Sequence, residues 1–176
     1  MDGRTLTPAW LESWARGVSG ALTVMTDEFE HRHGFPPGTN QVRPADHGDQ
    51  AAAHALAQLD HASADLVTFY VSVADLTWAD VGSGYFIHPV PDVLLCLHEY
   101  GAVPLGAGQD VGGLVFGSNG GGQSYVTGPG GVVHRTRTAS LDEPQLDRVA
   151  DDLRHFLQLL EQSLTRFLAD GEPGRL

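Results

Sequence analysis

His31-Arg32-His33 is the pattern nearest to a metal-binding motif. On a strand, an H-x-H pair shares one face and can chelate an ion. Here the preceding residues have helical spacing, so the two rings diverge, and a helix C-terminus favours histidine through its dipole. The other histidines are scattered, with no H-E-x-x-H motif and no cysteine pair. The glycine-rich run Gly117 to Gly122 suggests a phosphate loop at first sight. A phosphate loop needs a lysine and a following helix. The chain has no lysine, and strand-like residues flank the run, so a hairpin turn is the better reading. Gly82-Ser83-Gly84 lacks the spacing of a nucleophile elbow. The single cysteine, Cys96, lies in the apolar run Val93 to Leu97 and reads as a buried, inert thiol. Asp75 with Asp80, and Asp151 with Asp152, could act as acid and base only if burial pushed their pKa values apart. In an acidic chain such pairs read as a solvated face. No catalytic, cofactor-binding or metal-binding residue is therefore assigned, and no cofactor is expected.

What remains is contact chemistry. The chain has 176 residues, 22 of them acidic and 10 basic, for a formal net charge of −12. Every basic residue is arginine. That balance disfavours nucleic acid and anionic membrane surfaces, and it suits a basic protein. Carboxylates and aromatics near predicted strand ends form the candidate partner-binding set: Asp75, Trp78, Asp80, Asp110 and Tyr125. An exposed aromatic beside carboxylates is a plausible anchor against a cationic partner. No apolar stretch approaches the roughly 20 residues of a membrane span. Met1-Asp2-Gly3-Arg4 opens no apolar leader, so a cytoplasmic chain, monomeric or weakly dimeric, is expected.

These residues need elements to hold them. Thr7 and Pro8 open a helix to about His31, with Trp10, Trp14, Val18, Leu22 and Met25 on one stripe. Residues 38–50 read as a loop, and Asp49 to about His61 as a second helix. Leu66 to Val73 fits either a strand or a helix capped by Ser63 or Asp65. Leu76-Thr77-Trp78 and Tyr85 to His88 read as strands, then Pro91 to Tyr100 as a helix stopped by Gly101. Val103 to Leu105 reads as an edge piece. Gly113 to Gly117, Ser124 to Thr127 and Val132 to Thr136 form a meander. A long helix from Gln145 to Leu168 closes the chain before a tail. The fold class is α+β: an antiparallel sheet with a strand meander, covered on one side by N-terminal and C-terminal helices. One domain, 1–176, is expected, with a helical part at 1–60, a core at 65–168 and a tail at 169–176.

Several of these blocks, in this order, resemble the SUKH superfamily, which holds bacterial immunity proteins and fungal regulators of cell-wall synthesis. Leu66-Val67-Thr68-Phe69-Tyr70 precedes the Trp-bearing strand Leu76-Thr77-Trp78. Gly84-Tyr85-Phe86-Ile87-His88 follows, then Gly113 to Gly122 leads into Tyr125. Val149 to Leu157 is similar to the family's closing helix. The resemblance implies an α+β fold without a catalytic centre, and an immunity protein that neutralises a cognate toxin by direct contact. A regulatory adaptor without a toxin partner is the second expectation. A small-ligand or metal-dependent enzyme is the third.

Overall fold

The computed structural model describes residues 5–108 and 110–176. Met1-Asp2-Gly3-Arg4, read above for a leader, lies outside them. Thr7 caps α1 (Pro8–His33) by accepting from the Trp10 N–H at 3.2 Å, and Gly34 closes it in the left-handed region. Leu11, Trp14, Val18, Leu22, Met25 and Phe29 are its buried stripe. Trp10 stands half outside, with the Arg154 guanidinium 4.8 Å from its ring centroid.

Residues 38–50 are not a loop. They hold β1 (Asn40–Pro44) and the start of α2 (His47–Leu56), which Asp46 and Asp49 open with a reciprocal capping box. The second helix is thus shifted toward the N-terminus from its expected span. Ser63 caps α3 (Ala64–Ser72), which passes directly into β2 (Val73–Trp78). The open choice at Leu66 to Val73 resolves as helix, because Leu66, Phe69 and Tyr70 recur at its spacing and are buried. β3 (Tyr85–Ile87), α4 (Val90–Tyr100), β4 (Leu114–Asn119), β5 (Ser124–Thr127) and β6 (Val133–Thr136) follow close to expectation. Val103 makes only an isolated bridge to Gly113.

The closing segment differs from expectation. Leu146 to Ala150 is a further strand, β7, and α5 (Leu153–Asp170) starts only after Asp152 caps it through the His155 N–H. Leu146 and Val149 fit a helical stripe by spacing, yet the segment that holds them pairs with β6, Leu146 opposite Thr136 and Val149 at a bulge, and β6 otherwise would have no partner on that side among the described residues. The tail after α5 turns back onto the sheet. Pro173 is buried against Gly82, and Arg135 donates to the Leu176 carbonyl.

All seven described strands pair antiparallel in sequence order, β1 to β7. The sheet does not close, so β1 and β7 are its edges. One face carries Leu76, Trp78, Tyr85, Ile87, Phe116 and Tyr125, which meet α1, α3 and α5 in a continuous core. Phe156 of α5 is the hinge of that packing, with centroids 5.6 Å from Phe116 and 4.9 Å from Tyr125. The glycine-rich run is the β4–β5 hairpin. A Cβ on Gly120 would lie 1.5 Å from the Ser83 carbonyl oxygen, so only glycine lets this turn pack on the β2–β3 connection.

Candidate functional site

The sequence-derived contact set does not assemble as one surface. Trp78 is 0% exposed and Tyr125 1%, so both are core residues and neither presents an aromatic face to a partner. The reason is alternation. Both side chains point to the helix-covered side of the sheet, where Trp78 meets Tyr85 edge-to-face and Tyr125 meets Phe156. Asp110 is exposed, in the connection between α4 and β4.

Asp75 and Asp80 do come together, around one strand. Asp80 Oδ2 accepts from the Gly38 N–H at 2.7 Å and from Asn40 Nδ2 at 2.6 Å. Asn40 Oδ1 in turn accepts from the Asp80 N–H at 3.0 Å. This reciprocal clasp holds the start of β1 to the end of β2. At the other end, Arg43 Nε donates to Asp75 at 2.6 Å, and its two terminal nitrogens grip Asp49 at 2.7 and 3.0 Å. The fork geometry matches a carboxylate, as a lysine would not. Arg43 holds the Asp49 carboxyl down at about 2, and the two carboxylates raise Arg43 further above its ordinary range. The two acidic residues expected to touch a partner therefore brace β1 instead.

The braced strand faces a groove. Between α1 and β1 lies a cavity of about 690 Å³, floored by Ala15, Val42 and Val71 and flanked by Glu12 and Arg16. It continues past Ser19 and Val42 into a second cavity of about 340 Å³ that reaches Asp27 and Asn40. α1 and β1 run antiparallel along it. The outer edge of β1 is unpaired among the described residues. The Ala79 N–H donates to the Thr39 carbonyl, which fixes the register: Thr39, Gln41 and Arg43 bond to β2. The N–H and C=O of Asn40 and Val42 therefore point outward. Pro44 has no N–H to offer and ends the edge. Sequence reasoning missed Ala15, Asn40, Val42 and Arg43. The one available signal was the out-in-out order of Gln41, Val42 and Arg43, which is too short to register as a strand between Gly38 and Pro44.

Several of the remaining chemistry-bearing residues have structural partners. His33 stacks on Phe29 with centroids 4.3 Å apart, and Arg32 pairs with Glu28 at the end of α1. No group of three His, Cys, Asp or Glu side chains among the described residues is arranged to hold a metal ion. Cys96 is half-buried instead of fully buried, and burial together with Glu99 pushes its thiol up, away from thiolate chemistry. Asp151 pairs with Arg148, and Asp152 caps α5. Among the described residues no helix is long and apolar enough to cross a membrane.

No protein-family model matches this chain, and no curated protein matches it.

Proposed function

We propose that this chain is a non-enzymatic protein-binding domain that neutralises a basic toxin in the cytoplasm by direct contact, the role that its resemblance to the SUKH superfamily implies. The observation that carries the reading is the unspent negative charge. Six ion pairs join five arginines to six carboxylates among the described residues, out of 22 acidic side chains in the chain. With 22 carboxylates against 10 arginines, an excess of negative charge remains however these side chains pair. A field of that sign raises the encounter rate of a cationic protein and repels acidic competitors.

The test is capture from lysate of the native host at low and moderate salt, followed by titration with the purified captured protein. The expected result is one stoichiometric basic protein, whose association slows steeply as salt rises and whose own activity is lost in the complex. A captured partner that is acidic, or whose association ignores salt, would refute the reading.

A further inference from the structure

We infer that the outer edge of β1 and the groove along α1 take an extended cationic segment of the partner as an added strand, next to β1. The inference rests on the protein-binding reading above and names where that partner docks.

Three observations converge on it. First, β1 offers an outward ladder at Asn40 and Val42, with no hydrogen bond to these outward groups among the described residues. A five-residue strand spans about 17 Å, so a short segment suffices. Second, the space beside that ladder is shaped. Every second side chain of an added strand would face α1, where Ala15, Val42 and Val71 form an apolar floor. Backbone bonds would supply affinity, and the pockets selectivity. Third, the charge is one-sided. Among the described residues, Glu12, Asp27, Asp46, Asp49, Asp75 and Asp80 line or brace this strand against Arg16 and Arg43, a net charge of −4. Arg16 is already paired with Glu12, whereas Asp27, at the Asn40 end, has no ion-pair partner among the described residues. A cationic occupant gains from all of this. A second copy of the chain would bring another −12 to the same edge.

The probe is an acetylated, amidated Lys-Val-Lys-Val-Lys-Val peptide, with Glu-Val-Glu-Val-Glu-Val as its counterpart. Amide NMR shifts and hydrogen exchange of the full chain are the readouts. The lysine peptide should protect the Asn40 and Val42 amides and shift Ala15 and Ser19, and the glutamate peptide should bind at least tenfold more weakly. Val42→Pro deletes an N–H that points away from β2, so it should abolish protection at Asn40. Ala15→Trp fills the groove from α1, leaves β1 untouched, and should abolish binding too. Asp27→Arg should weaken it at least threefold. Shifts confined to another surface, equal affinity for both peptides, or no shift at millimolar peptide would overturn the inference. Concentration-dependent protection of the same amides without peptide would overturn it in favour of a second copy. If a captured basic partner bound Val42→Pro and Ala15→Trp as tightly as the parent chain, this docking site would fall while the protein-binding reading stood. If no basic protein formed a complex, that reading would fall instead.

Discussion

Asp80→Ala is the sharpest test of how β1 is held. The substitution removes one carboxylate oxygen that accepts from both the Gly38 N–H and Asn40 Nδ2. Hydrogen bonds to a charged group contribute about 1.5–3 kcal/mol each when well shielded. Here Asp80 and Asn40 are half-buried and Gly38 is exposed, so water replaces part of each lost bond. About 1 kcal/mol apiece, or about 2 kcal/mol in all, is the reasoned loss. For a chain of this size that lowers Tm by about 4–8 °C. Differential scanning calorimetry with urea unfolding gives both numbers, and hydrogen exchange locates the change. Exchange should accelerate at Gln41 and Arg43, whose amides bond to β2, and stay slow in α5. A double-mutant cycle with Asn40→Ala should return a coupling of about 1 kcal/mol. A Tm within 1 °C of the parent chain, with unchanged exchange in β1, would refute the clasp and leave Asp80 as a free surface carboxylate.

Other outcomes follow from the same geometry. Trp78→Ala should cost about 3–5 kcal/mol, because a fully buried indole leaves a cavity beside Tyr85 on the helix-covered face of the sheet; a loss below 1 kcal/mol in chemical denaturation would contradict its burial. Asp110→Arg, on an exposed connection, should change stability by no more than about 0.5 kcal/mol, and a larger shift would mean that Asp110 has a structural partner. Burial lowers the pKa of His88 and of His134, the latter also through Arg148. The unfolded chain takes up these protons near pH 6.5 while the folded chain still refuses them, so stability should be full above that pH and fall as pH drops below it. Urea midpoints at pH 7.5 and 5.5 would check the sign, and His88→Gln should flatten the slope. Gly120→Ala should lower Tm by several degrees and loosen the β4–β5 hairpin in exchange measurements, since its Cβ would overlap the Ser83 carbonyl.

Much of the fold was legible in the residues themselves. The cap of α1 was readable at Thr7, because a short hydroxyl before Pro8 and an apolar stripe has one obvious use at a helix start, whereas Ser63 was one of two candidate caps for a segment that local pattern left open between helix and strand. The central meander was readable because turns such as Asn119-Gly120 and Gly130-Gly131 punctuate strands of alternating burial. Two strands were not readable, β1 and β7, and both are edges. Each is five residues long and polar on one side. Leu146 and Val149 satisfy a helical period as well as a strand period, so local pattern could not choose. Pairing with β6 chose.

The sequence by itself determined the chain's charge, the absence of lysine, the start of α1 and the order of the central meander, because these depend on residue type and near neighbours. Only the tertiary structure decided which side of the sheet each strand residue faces. One step along a strand reverses that side, and so it turned Trp78 and Tyr125 from candidate anchors into core. It alone converted Asp75 and Asp80 into braces, since their partners Arg43 and Asn40 lie 32 and 40 residues away in sequence. The groove is likewise a tertiary product. It exists because α1 and β1 meet along an edge that no other strand of the described sheet covers.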